Sequence, residues 1–433
     1  MTYALFLQSV SKLALVGGML LDGYEVPPIH HGAVLIEGER IVRVGRASEI
    51  PIPPDYEVID TSGRTMLPGL IDLHAHLMIV GHGDYAQFFA WLEAQDEITL
   101  EDVMEISARQ LLDAGVTSAV ELGAPVAESL RVRDRIDRGE IPGPRMSVSG
   151  AWVARRTYSG FPAAAQNQVS SPEQASAVVE TLAEAGVDVI KAWAGLTRAD
   201  YEAIVTTAHR YGLPVHAHVY DSESVRNALE AGVDVLQHVG SAGTPPYDPA
   251  LLRDIVASGR PVVPTGAHRV WVYPATVQFP ERLQDPRLRR DFPISLYEEV
   301  QASLENFRTL RYFATMPRQM FFGDASMRQW MEAGAVIGMG TDSGTPMNFH
   351  TEALWREIKA FVDLGMPSQA AISAATRINA RIMGTGDDLG TIEPGKLADI
   401  IVVKGDPLNN IMALADVEIV VKGGRVHKSR QQR

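Results

Sequence analysis

The chain has 433 residues, 46% of them hydrophobic and 21% charged, with 37 glycines and 26 prolines, which suits a large folded protein and excludes collagenous or disordered classes. Thirty-nine basic against 53 acidic residues leave a net charge of −14 with no basic run, so sequence-independent nucleic-acid binding is excluded. Cysteine is absent, which removes disulfides, thiol nucleophiles and Cys-ligated clusters and leaves histidines and carboxylates as the only strong metal ligands.

The N-terminal segment MTYALFLQSVSKLALVGGML is apolar but has no basic leader and carries Lys12 in its middle, so it reads as a first β-strand rather than a signal peptide. No uncharged apolar stretch reaches the length of a membrane span, and a cytoplasmic location is expected. From Leu13 to Thr65 short β-type runs follow one another, with Glu-Gly-Glu-Arg between VLI and IVRV as a hairpin turn. The closing segments ADIIVVKGDP and VEIVVKGGRV have the same character. Residues 1–66 and 386–433 are therefore expected to form one small β-sandwich domain built from both chain termini.

Between them, residues 67–385 alternate short apolar runs with helix-type segments, the pattern of βα units on a parallel sheet. Eight strands are predicted at 69–75, 116–121, 145–149, 187–191, 213–218, 233–238, 261–265 and 335–341. Helices are predicted at 102–114, 174–185, 199–211, 222–231, 248–258 and 327–333, several ending in the Gly that caps helix C-termini. The expected fold is α/β, a (β/α)8 TIM-type barrel, with a doubly wound open sheet as the alternative.

Barrel enzymes build their sites at strand C-termini, and these strands end in chemistry-bearing residues. The first ends DLHAHL, where the strand period of two points His74 and His76 to one side, as a shared metal requires. The fourth ends in Lys191, an ammonium costly to bury unless paired or neutralised. The fifth carries His216 and His218, the sixth ends in His238, and the eighth, AVIGMGTDSG, is followed by Asp342, able to ligate a metal and to accept a proton.

With these residues in place the chain resembles the amidohydrolase superfamily, and within it the imidazolonepropionase/prolidase-like branch of metal-dependent hydrolases. The likeness runs through GLIDLHAHL (69–77), AGVTSAVELGAP (114–125), GPRMSVSG (143–150), AGVDVIKAWAG (185–195), GLPVHAHV (212–219), AGVDVLQHVG (231–240), GTDSG (340–344) and GTIEPGKLADIIVVKGDPL (390–408). It implies two divalent ions, zinc being expected, with His74, His76 and Asp342 on one and His218 and His238 on the other. Lys191, carboxylated by CO2, would bridge them, and Asp342 would act as the proton shuttle. The branch's spacing to the Ala-Gly before strand six selects His218 over His216, which falls to the barrel interior. Glu121 or Asp72 is expected to fix the histidine tautomers.

Three departures bear on substrate. Val120 and Glu121 stand where the branch has Arg and Asp, the loop AWVARRTYSGFP lacks a histidine, and Tyr220 replaces a second histidine. Substrate contacts are expected from Tyr220, His268, His350 and Arg155. The aromatic residues of the 268–323 insertion and of the loop after strand one, Tyr85 to Trp91, are expected to wall the pocket. The implied reaction is hydrolysis of a C–N amide-type bond in a hydrophobic or aromatic amide or an N-acyl amino acid. A metal-dependent decarboxylase or lyase, or a non-enzymatic scaffold, is the alternative. The partner is a small-molecule substrate, with no nucleic acid and no membrane, and a homo-oligomer is compatible with the sequence.

Overall fold

The computed structural model describes residues 11–241 and 245–429, apart from the side chains of residues 269, 270 and 353; the first ten residues of the apolar N-terminal segment lie outside the described residues. Two compact units result among the described residues, one formed from both ends of the chain, up to residue 70 and from residue 368 onward, and one from 71–367. Among the described residues no helix is long and apolar enough to cross a membrane.

The first unit contains two sheets. One runs Arg40–Arg46, Gly32–Glu37, Lys12–Val16, Glu57–Asp60; the other runs Arg425–Ser429, Val417–Lys422, Ile400–Lys404, Arg64–Pro68, Met19–Leu20. Alternate residues of both sheets (Leu13 and Leu15, Val34 and Ile36, Ile400 and Val402, Ile419 and Val421) share one buried cluster, the sandwich core that a period of two produces. Residues from the two ends of the chain meet at the antiparallel register Val402↔Met66. The helical stretch from Ser368, expected in the barrel, groups with this unit. Arg377 explains the attachment: it donates to the Gly23 carbonyl at 3.3 Å and pairs with Glu25 at 3.3 Å.

In the second unit eight strand positions close into a parallel ring. Leu70–Ala75, Val116–Glu121 and Arg145–Val148 form one arc; the third strand continues as a second segment, Trp152–Ala154, which with Ile190–Ala192, Val215–His218, Val235–Gln237 and Val262–Val263 forms another, so that the two arcs supply seven positions. The Asp188 N–H donates to the Val148 carbonyl (2.9 Å), joining the arcs on one side. On the other, parallel bridges Val262↔Ile337 and Ala75↔Ser343 insert the eighth strand between the seventh and the first. This is the barrel expected from the sequence. Helices Leu100–Asp113 and Arg198–Arg210 begin with capping boxes, Thr99 with Asp102 and Thr197 with Asp200, which satisfy the first free N–H groups. Helix Val126–Asp137 was not predicted, because only Ser129, Val132 and Ile136 face inward and no side chain caps its start.

The eighth strand must pass close to its neighbours, and Gly340 makes this possible: a Cβ there would lie 2.6 Å from Val263 Cγ1 and 2.9 Å from His74 Cβ. Gly340→Ala is expected to destabilise the protein by about 1–3 kcal/mol, the usual range for overpacking a dense core. Thermal or denaturant unfolding checks this, and an unchanged midpoint would contradict the packing.

Candidate metal centre and its pocket

The ring places the strand ends around a single point. Continuing past Ala75, the first strand turns His74 and His76 to the same side, with their Nε2 atoms 3.3 Å apart. Asp342 leaves the eighth strand with a left-handed φ of 56°, which folds its carboxylate back so that Oδ1 lies 3.1 Å from His76 Nε2 and 3.5 Å from His74 Nε2. The ligand atoms of these three residues all lie within 4.8 Å of one another. Lys191 Nζ comes to 3.4 Å from His74 Nε2. His238, also left-handed at φ 65°, sets its ring 4.5 Å from that of His74 and 4.4 Å from that of His218. All six residues singled out as ligands are thus brought to one end of the barrel.

The hydrogen bonds fix which nitrogens are available. The Leu73 carbonyl can only accept, so the Gln237 amide nitrogen faces it at 3.2 Å and also donates to His216 Nδ1 at 3.1 Å. Gln237 Oε1 is left 2.8 Å from His74 Nδ1, which must carry the proton; the His74 Nε2 lone pair therefore points at the cluster. His238 is held by the same logic. Thr265 gives its hydroxyl proton to the Pro264 carbonyl (2.7 Å) and accepts from His238 Nδ1 (2.9 Å). Neither Glu121 nor Asp72, the sequence candidates for this task, performs it. Asp72 instead accepts from the His74 and Thr341 N–H groups (2.9 and 3.1 Å) and from the Thr341 hydroxyl (2.7 Å), pinning strands one and eight together. Glu121 lies buried near Lys191, its carboxylate facing the backbone N–H groups of Gly123 and Leu77.

Burial governs the charge states. It lowers His74 and His238 well below the ordinary imidazole value, reinforced by Lys191 at His74 and by His218 at His238, so both are neutral imidazoles. It brings the Lys191 ammonium down to about 7 against the opposing pull of Asp342 and Glu121. Burial alone would raise Asp342, but the His268 imidazole beside it and the hydrogen bond from His76 hold it well below the usual carboxylate range. Burial pushes Glu121 up to about 8. Neutral imidazole nitrogens converging with a carboxylate oxygen are a donor set that a divalent ion such as zinc fits.

A cavity of about 240 Å³ opens onto this cluster. Lys191, His218, His238, His76 and Asp342 form part of its lining, and Tyr220 joins them, its ring 4.6 Å from that of His218. His268 sits behind Asp342, with Nδ1 3.2 Å from Oδ2, and its other nitrogen bonds the hydroxyl of Tyr312, which does line the cavity. The turn carrying His268 is clamped by the buried carboxylate of Glu357, which accepts from the N–H groups of Gly266 (2.9 Å) and Ala267 (2.7 Å). His350 is not among the cavity's lining residues: it is buried and donates to the His76 carbonyl at 3.0 Å. Arg155 is likewise engaged elsewhere, in a two-pronged pair with Asp200 (2.6 and 2.9 Å), the partner of Thr197 in the capping box of helix Arg198–Arg210.

The aromatic wall differs from the expected one. Of the insertion and first-loop aromatics only Tyr312 and Tyr85 line the cavity, while Phe88, Phe307 and Phe313 are buried in packing. Trp152 on the second segment of strand three, Tyr158 and Phe161 in the loop that follows it, and Trp193 after strand four supply the remainder. Their position at the ends of barrel strands and in the loops after them was the available signal.

The amidohydrolase family model matches residues 65–427. The chain is similar to a 5-methylthioadenosine/S-adenosylhomocysteine deaminase of Symbiobacterium thermophilum, at 23% identity over 96% of this chain and 93% of the relative. It is similar to an imidazolonepropionase of Geobacillus kaustophilus, at 24% identity over 92% and 90% of the two chains. Among solved structures it is similar to a Bifidobacterium longum protein described as a prolidase, with 27% identity, a TM-score of 0.75 and coverage of 96% and 94%.

The Gln237 bridge gives a direct test. Gln237→Leu removes the acceptor for His74 Nδ1 while keeping side-chain bulk, and is expected to weaken metal affinity by roughly 10–100-fold. Chelator competition measures it; an unchanged affinity would show that the tautomer is set by something else.

Proposed function

The chain belongs to the amidohydrolase family, and from that premise we propose that it is a binuclear metal-dependent hydrolase cleaving an amide-type C–N bond in a hydrophobic or aromatic amide or an N-acyl amino acid. The observation carrying this reading is the convergence of four histidines, Lys191 and Asp342 at one cavity, with the tautomers of His74 and His238 fixed so that Nε2 is free to ligate. His74, His76 and Asp342 would hold one ion and His218 and His238 the other, with zinc as the expected metal.

Lys191 supports the bridging role by its chemistry. A buried amine brought to about 7 is substantially neutral near neutral pH. Its nitrogen can add to CO2, forming a carbamate and releasing one proton, which replaces a costly buried cation with an anionic ligand. Held by these residues, two divalent ions would supply a water of lowered pKa, towards about 7, and polarisation of a carbonyl oxygen. Asp342 serves as the proton carrier: an anion at rest, it accepts the proton from the attacking water and hands it to the leaving nitrogen. His268, against its outer oxygen, keeps the carboxylate turned so that Oδ1 faces the ligands. Tyr220 and the aromatic lining exclude bulk water and hold the substrate.

Lys191→Ala is expected to lose the second metal and most activity; two ions per chain with unchanged turnover in that variant would refute the carbamate assignment. Asp342→Asn is expected to lower kcat by roughly 10²–10⁴-fold, because proton transfer belongs to the transition state. If steady-state kinetics show a raised KM with kcat intact, Asp342 is not the shuttle.

A further inference from the structure

The geometry points to a neutral, single-ring aryl group as the part of the substrate bound beside the metal centre. The inference rests on the hydrolase reading above and narrows it, because that reading admits both aryl amides and carboxylate-bearing N-acyl amino acids.

The side of the cavity next to the ligands is a continuous series of ring contacts. Tyr158 stands half exposed (49%) and meets Phe161 at 5.7 Å and Trp193 at 6.0 Å between centroids. Phe161 touches Tyr85 at 4.5 Å and Trp152 at 5.2 Å, and Trp152 lies 4.6 Å from Trp193. Trp193 in turn reaches the ring of His218 at 5.6 Å, so the aromatic surface runs up to a ligand with no polar belt between. A volume of about 240 Å³ accommodates one ring with a small amide beside the cluster.

The charges point the same way. Among the described lining residues Lys191 is the only cationic side chain, and it belongs to the ligand cluster. Arg155, the expected carboxylate anchor, is spent on Asp200; releasing it would also disturb the cap of helix Arg198–Arg210. A substrate carboxylate entering this pocket would lose its water against the negative faces of the rings without a countercharge. A quaternary ammonium would find the ring faces, but the only carboxylate among the described lining residues, Asp342, is already engaged by His76 and His268. An uncharged ring incurs neither cost and stacks on the wall.

Binding is measured by tryptophan-fluorescence titration of the full chain, metal-loaded and chelator-treated, with acetanilide, 4-acetamidobenzoate and the 4-trimethylammonium analogue. Acetanilide is expected to bind at least about tenfold more tightly than either charged analogue in both forms, and Tyr158→Ala to weaken it while metal content and circular dichroism stay unchanged. Equal or tighter binding of 4-acetamidobenzoate or of the ammonium analogue overturns the inference, as does an unaltered acetanilide affinity in Tyr158→Ala. The neutral preference without turnover of any amide by the metal-loaded protein would instead count against the hydrolase reading and leave the pocket assignment standing.

Discussion

The bond between Gln237 Oε1 and His74 Nδ1 is the constraint on which the centre depends. Because the Leu73 carbonyl fixes the orientation of the amide, the proton of His74 is committed to its outer nitrogen, and the inner one is presented as a lone pair. His76, Asp342 and Lys191 gather around that atom within 3.5 Å. Burial then keeps the imidazole neutral, so the group can act as a ligand and not as a second buried cation. The strand-six residue that fixes His74 immediately precedes His238, the next member of the cluster, which couples the orientation of one half of the site to the placement of the other.

Strain is concentrated where the chemistry is. Among the described residues five non-glycine positions have positive φ, and three of them, His238, Thr265 and Asp342, stand at the ends of barrel strands six, seven and eight. Each costs of order 1–3 kcal/mol, and each is over-determined by neighbours. Thr265 is fixed through its hydroxyl, and the next two residues through Glu357, a carboxylate pushed up to about 8 by burial against the two N–H bonds it accepts. Asp72 does the same for strand eight by gripping Thr341 just before Asp342. A dense layer of polar contacts beneath the ligands thus supports a backbone that would otherwise relax away from the site.

The barrel and the six converging residues were legible in the sequence because each ligand ends an apolar strand, where an unexplained His, Lys or Asp stands out against its neighbours. Gln237 and Thr265 gave no comparable signal, since an amide within VDVLQH and a threonine after VVP are ordinary residues whose role appears only when strands come together. The left-handed turn at His238 also breaks the alternation that would have placed Gln237 on the opposite face to it. Arg155 and His350 were read as substrate contacts from their loops; an ion pair and a backbone carbonyl claim them in the fold. The aromatic residues of the insertion illustrate the same limit. Phe292, Phe307 and Phe313 are buried in packing, Phe279 and Phe321 are exposed, and only Tyr312 reaches the cavity, through a side chain tied to His268.

The central claim is that one bridging lysine draws two metal ions into this cluster. X-ray absorption at the zinc edge of the purified, metal-loaded protein tests it most directly, because it reads both the ligand atoms and any neighbouring metal. The account predicts a first shell of nitrogen and oxygen only, with a metal–metal contribution at about 3.5–4 Å at a stoichiometry of two ions per chain. A single ion per chain with no metal–metal contribution would contradict it.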